Sequence, residues 1–218
     1  MADAPPNPWL SAAYLRDNAG DVAAALGQHV GLTVEAVVIA SAIALPLGML
    51  AHRRPRLAGP LLSTAGVLYT IPSLALFAVL APYTGIGRVT VLIGLVLYAL
   101  LLLVRGVLVG LAGVDPAVRD AARGMGYSPG AMLWRVELPL ALPTMVSALR
   151  LATVSTVALT TVGVVVGAGG LGQLLFRGFR SNYHAEIMTA TLLCLALALV
   201  ADLLLAVVGR LSTPWQVR

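Results

Sequence analysis

Residues Val114 to Pro143 read VDPAVRDAARGMGYSPGAMLWRVELPLALP, and the reading of this stretch decides how the flanking chain is organised. It is too long for a simple turn and too patterned for a linker. Asp115 followed by Pro116 is an N-cap with proline at the first helical position. Val118, Ala121, Ala122 and Met125 then recur at helical spacing and predict a narrow apolar face, with Arg119 and Arg123 on another. Gly126 is placed to end this helix. Ser128-Pro129 starts a second short helix in the same way, Leu138-Pro139 closes it, and Pro143 begins the next apolar run. Periodicity leaves two readings open. The segment is either a hairpin that only covers the helices beside it, or a rigid lever on which a partner docks.

What lies on either side is apolar. Of 218 residues, 59% are hydrophobic and 11% charged, where soluble domains carry about a quarter. The mean hydropathy is +0.93. A soluble core of this size cannot hide so much apolar surface, so the bilayer is the natural solvent. Five apolar segments each approach the ~20 residues that cross it: 32–51, 61–81, 89–111, 140–166 and 187–208. The fold class expected is all-α, a polytopic membrane protein of five transmembrane helices with short cytoplasmic helices over 112–139. Residues 1–31 form an extracytoplasmic N-terminal segment, 32–210 the transmembrane domain and 211–218 a cytoplasmic tail. Pro72 removes a backbone donor inside the second segment and predicts a kink. Asp17 to Val30 is expected to form a short surface helix.

Every basic residue other than histidine is arginine. Arg53, Arg54 and Arg56 follow the first segment. Arg105, Arg119, Arg123, Arg135 and Arg150 lie around the long loop, and Arg210 and Arg218 end the chain. The alternate side has only Arg16, Arg88, Arg177 and Arg180. Excess arginine marks the cytoplasmic side, so the N-terminus is expected outside and the C-terminus in the cytoplasm of a cell (inner or plasma) membrane. The net charge of +5 is thus a topology signal between apolar runs, and nucleic acid is not expected as a partner. The N-terminus lacks the basic start and apolar core of a signal peptide. Cys194 is the single cysteine, so no intrachain disulfide is available.

Asp120-Ala121-Ala122, then Gly126, then Val136, Leu138 and Pro139 resemble the EAA…G…I.LP loop of ABC importer permeases. Three residues separate Ala122 from Gly126, nine separate Gly126 from Val136 and one separates Val136 from Leu138. Asp120 stands for Glu and Val136 for Ile. Tyr69-Thr70-Ile71-Pro72-Ser73-Leu74-Ala75 is similar to the QTIPSLA segment of the osmoprotectant branch, whose members import glycine betaine, carnitine or choline. Gly167 to Gly172 resembles a GAGGLG motif that methionine-type importers share. The resemblance covers roughly residues 32–210 and implies a type I, binding-protein-dependent permease. Its 112–139 loop would carry coupling helices that fit a cytoplasmic ABC ATPase dimer. ATP and Mg would be bound by that ATPase, with no cofactor in this chain. An extracytoplasmic solute-binding protein would deliver the substrate. Five spans are too few to enclose a path, so a second permease chain, identical or paralogous, is expected.

Within that frame Tyr69, Pro72 and Ser73 are expected to border the path. Thr153, Thr156 and Thr160 share one helix face. They either bond within and between helices or form a polar wall of the path. Gly167, Gly169, Gly170 and Gly172 either end a helix or belong to an external gate or a delivery contact. Asp202 is an ionisable residue inside a span, which is costly without a partner. Arg150 or Arg105 is the expected partner, and Glu35 is expected to be hydrated at a helix N-terminus.

His29, His52 and His184 are dispersed without metal-ligand spacing, and no Walker-type glycine loop is present. Transport is therefore expected without catalysis by this chain. A methionine-type amino-acid importer is the alternative. An ion-driven transporter would need more spans, repeats and buried charges, and a membrane enzyme would need clustered histidines or carboxylates.

Overall fold

The computed structural model describes residues 7–214, all of whose regular structure is helical. Residues 1–6 of the N-terminal segment and 215–218 of the tail, Arg218 included, lie outside the described residues. The first helix, α1 (Ala12–Asp17), is capped by Ser11, whose hydroxyl accepts from the Tyr14 N–H. After Asn18 comes α2 (Ala19–Arg53), 35 residues without interruption. The separate surface helix expected over Asp17 to Val30 is therefore corrected to the first turns of α2. Glycines at 20, 27 and 31 weaken that stretch without breaking it, because Val22, Ala25 and Leu26 are anchored in an apolar cluster.

The second apolar segment is not one kinked helix. α3 (Pro55–Thr70) stops and α4 (Ser73–Thr84) restarts after Ile71 and Pro72. Proline disfavours helical backbone at the residue before it. Pro72 is itself extended, at φ −57° and ψ 135°, so the chain breaks rather than bends. α5 (Arg88–Ala112) comes next, then the loop helices α6 (Pro116–Gly124) and α7 (Pro129–Met132).

Leu138-Pro139 does not close a helix, and Pro143 does not begin one. α7 runs through a π turn, Leu133–Glu137, straight into α8 (Leu138–Val162). A proline in a regular helix clashes with the carbonyl four residues back. The π turn widens the helix just before Pro139, with the Leu138 N–H reaching back to the Leu133 carbonyl. Such single-turn insertions are a known way for a helix to absorb an extra residue. α8 ends in a 3-10 turn, Gly163–Val166. α9 (Leu171–Ser181), which falls between the apolar segments 140–166 and 187–208, precedes α10 (His184–Ser212).

Among the described residues four helices are long and apolar enough to cross a membrane: Ala19–Arg53, Arg88–Ala112, the continuous Pro129–Val166 and His184–Ser212. The bent pair α3 and α4 makes a fifth if it counts as one broken span.

The described residues fall into two compact units, one within Met1–Ala36, Ile71–Leu95 and Val154–Val200, the other within Val37–Thr70, Val96–Thr153 and Ala201–Arg218. The first has a core of Tyr14, Val22, Ala25, Leu171, Leu174, Ala185 and Ala190. The second is built on small residues, with Ala40, Ala44, Ala51, Ala99 and Ala152 around Leu103, Val104 and Leu108. A β-carbon added at Gly106 would lie 2.2 Å from that of Ala148. Helices meet this closely in membranes because lipid supplies no hydrophobic drive between them, leaving backbone-to-backbone packing to do it. A separate cluster of Val107, Leu111, Leu133 and Ala141, with Leu138 beside it, seats the start of α8.

Candidate docking loop and glycine turn

α6 is closed at both ends by its own chain. Asp115 Oδ1 accepts from the Ala117 N–H at 2.8 Å, and Pro116 at the first turn gives up a donor that had no partner there. At the other end Gly126 has φ +81°. The Gly126 N–H donates to the Arg123 carbonyl (2.9 Å) and the Tyr127 N–H to the Ala122 carbonyl (3.2 Å), which is the paired bonding of a Schellman motif. Ser128 Oγ then accepts from the Ala131 N–H to start α7. These caps satisfy the end groups of a helix of nine residues that is mostly exposed.

The apolar face predicted for α6 is turned outward. Of Val118, Ala121, Ala122 and Met125 only Ala122 is buried, and Met125 is 70% exposed. Trp134 in the π turn is also exposed. The residue that turns inward is Arg119, whose Nη2 donates to the Leu111 carbonyl at 2.6 Å. Asp120 and Ala121 are exposed, with Asp120 paired to Arg123 at 2.9 Å. Val136, Leu138 and Pro139 are half-buried. The loop therefore offers a firm surface of apolar and paired polar groups, suited to contact with another protein.

The glycine run forms a second, differently built site. Gly167 is left-handed, at φ +84°, and Gly170, at φ +52°, caps α9. A β-carbon at Gly169 would lie 2.5 Å from the Val164 nitrogen, and one at Gly172 2.1 Å from the Thr161 carbonyl oxygen. Two side chains of α2 complete the turn. Gln28 Oε1 accepts from the Gly170 N–H (3.0 Å), and His29 Nδ1 accepts from the Leu171 N–H (3.3 Å). With Nδ1 accepting, the His29 proton sits on Nε2 and is donated to the Val157 carbonyl at 3.0 Å. His29 is fully buried, and it satisfies an N–H that the start of a helix otherwise leaves without a partner.

The other residues singled out in the sequence are dispersed through the helices. Thr153, Thr156 and Thr160 are buried. The Thr153 hydroxyl donates to the Leu149 carbonyl and that of Thr160 to the Thr156 carbonyl, both at 2.8 Å. Tyr69 is exposed and packs edge-on against Tyr98, with ring centroids 5.7 Å apart. Pro72 is exposed and Ser73 half-buried. Arg150 and Asp202 form a two-pronged pair, Nε to Oδ1 at 2.8 Å and Nη2 to Oδ2 at 2.7 Å. Glu35 lies within α2 rather than at its start, and Arg88 Nη2 donates to it.

Sequence reasoning weighs His29 only as a metal ligand and has no reading of Gln28, α9 or Glu137. His29 gave no signal, because a lone histidine in an apolar stretch matches no spacing rule. Glu137 gave one: it is an ionisable residue between Val136 and Leu138, where apolar neighbours would bury it.

Comparison with known proteins fits this geometry. Residues 40–217 match the family described as binding-protein-dependent transport system inner membrane component. The osmoprotectant import permease protein OsmW of Salmonella typhimurium is 37% identical over 94% of this chain and 98% of its own length. The glycine betaine/carnitine/choline transport system permease protein OpuCD of Bacillus subtilis is 36% identical, covering 92% of this chain and 88% of its own. A chain from inward facing conformations of the MetNI methionine ABC transporter superposes with a TM-score of 0.79 at 25% identity, over 86% of this chain and 94% of that one.

Proposed function

This chain belongs to the family of binding-protein-dependent transport system inner membrane components, and we propose that within it the chain forms the translocation path for a small osmoprotectant such as glycine betaine, carnitine or choline. It is a multi-pass permease of an ABC importer, a transport component that works with a separate ATPase and a substrate-binding protein. The observation that carries the substrate class is coverage. Relatives named for osmoprotectants, carnitine or choline align over more than nine-tenths of the chain.

α6 and α7 are the elements on which the ATPase docks, with Asp120, Ala121, Ala122, Gly126, Val136, Leu138 and Pro139 shaping them. What supports this is their capped, exposed form. The side that carries the loop is cytoplasmic and the N-terminus lies outside. Support comes from the arginines, since Arg53, Arg54, Arg56, Arg105, Arg119, Arg123, Arg135, Arg150 and Arg210 all fall in the unit that holds the loop. Two permease chains enclose the path, which Tyr69, Pro72 and Ser73 border at the break between α3 and α4. The buried Thr153, Thr156 and Thr160 serve helix packing, and Arg150 with Asp202 neutralises a charge inside the spans. Gly167, Gly169, Gly170 and Gly172 hold the outer turn.

The test is uptake of radiolabelled glycine betaine by hyperosmotically stressed cells that lack their own osmoprotectant importers and produce this chain with its ATPase and binding protein. ATP-dependent uptake is expected, competed by carnitine or choline. Gly126→Asp should reach the membrane in normal amount and transport nothing. Uptake that tracks a proton gradient instead of ATP, or is competed only by methionine, would overturn the proposal.

A further inference from the structure

The outward-facing α6 raises a mechanical question, because a lever moves other helices only if it is fixed to them. Apolar contact does not fix it, since Ala122 is its one buried residue. What grips it is charge. Arg119 on α6 places Nε 2.9 Å from Glu137 Oε1 in the π turn, an ion pair by distance, and the other oxygen, Oε2, lies 3.5 Å from His52 Nε2 in the last turn of α2, a charge pair when His52 is protonated. The same guanidinium donates through Nη2 to the Leu111 carbonyl at the end of α5. Each carboxylate oxygen thus faces a helix other than its own.

We infer that Glu137 is a positioning residue that locks α6 to α2 and α8, so that movement imposed on α6 is passed to the spans. The inference rests on the reading of α6 as the ATPase-docking element. Its physical basis is burial. The side chain of Glu137 is only 11% exposed, and those of Arg119 and His52 are 20% and 19% exposed. A carboxylate this little exposed is costly to leave unpaired, so moving α6 away from the π turn carries a penalty. The π turn also sets the direction of Glu137. One extra residue turns the rest of the helix by about 100° relative to a regular one, and Glu137 lies buried in the last position of that turn. The cluster borders a cleft that His52 and Glu137 line together with Arg53, Arg123 and Tyr127.

The test uses the assembled complex in a Cys194→Ala background with Leu50→Cys, an exposed position near the end of α2, carrying an environment-sensitive fluorophore. A non-hydrolysable ATP analogue with Mg is expected to shift the emission of the otherwise unchanged chain. Glu137→Gln should still co-purify the ATPase in full amount yet weaken the coupling of nucleotide to the α2 signal about tenfold, within the usual range for linked sites. The exchange Arg119→Glu with Glu137→Arg should recover at least half of it, which a purely structural role for Glu137 does not require. If Glu137→Gln fails to assemble, Arg119→Gln serves in its place, with the same loss expected. A full signal in either variant, or an exchange that binds the ATPase and recovers nothing, overturns the inference. A chain with Glu137 and Arg119 intact that captures no ATPase overturns instead the docking reading on which it rests.

Discussion

Gly126 and Gly170 both sit at positive φ, +81° and +52°, yet their surroundings are opposite. A β-carbon added at Gly126 meets nothing within 4 Å, whereas one at Gly170 lands 2.6 Å from His29 Cβ and 2.7 Å from its Cα. The loop that Gly126 closes presents Met125, Val118 and Trp134 to the outside. Gly170 is packed against the backbone and Cβ of His29, and the leading N–H groups of α9 are taken by Gln28 and His29. The difference separates a glycine chosen for backbone conformation alone from glycines chosen for space. The first leaves a surface for something outside the chain to meet. The second holds two parts of the same chain together.

That contrast is most easily broken at Gly172. Its added β-carbon would overlap the Thr161 backbone at 2.1 Å, and backbone cannot rotate away as a side chain can. Gly172→Val should cost about 3–5 kcal/mol, the range of the severe core defects, read as a large fall in the unfolding midpoint of the detergent-solubilised chain. A near-normal midpoint would mean that the turn is looser than its contacts say. His29→Leu comes next. It keeps the volume but leaves the Leu171 N–H and the Val157 carbonyl without the ring, for a loss of about 2–4 kcal/mol. Faster amide exchange confined to the first turn of α9 would place that loss at the cap.

Gly126→Ala should be milder, at about 1–2 kcal/mol for a left-handed residue that is not glycine, because nothing blocks the methyl group. Membrane accumulation should stay normal, and Gly126→Asn should do better still, since asparagine tolerates this backbone. A loss as large as that of Gly172→Val would erase the distinction between the two turns. The smallest effect is expected at Thr160→Val. The Thr156 carbonyl has the helix backbone as well as the Thr160 hydroxyl, so removing the hydroxyl should cost about 0.5 kcal/mol. Unfolding and transport should both remain close to those of the unsubstituted chain.

How much of this was legible depends on the range of the interaction that decides each feature. The capped starts at Asp115 and Ser128 and the stop at Gly126 are written within a few residues, and so are visible in the chain alone. The apolar runs are equally plain, because length and hydropathy suffice to mark a span. The sequence places the break at Pro72 but does not give its severity. Proline marks where helix bonding fails, while the surroundings decide whether the chain bends or stops. The reverse happened at Pro139, where a stop was expected and a π turn carries the helix through. α9 was missed because its glycine-rich start reads as loop until His29 and Gln28, more than 140 residues earlier, arrive to cap it.

By itself, then, the sequence determined the class of solvent, the number of apolar runs and the local signals of the loop between α5 and α8, all of which depend on composition or on neighbours a few positions apart. Only the tertiary structure decided which way α6 faces, that Arg119 rather than the apolar stripe turns inward, and that Glu137 joins Arg119 to His52. Those outcomes depend on which distant groups share a buried volume. A carboxylate or guanidinium leaves water only where a partner waits for it, and no spacing along the chain says where that is.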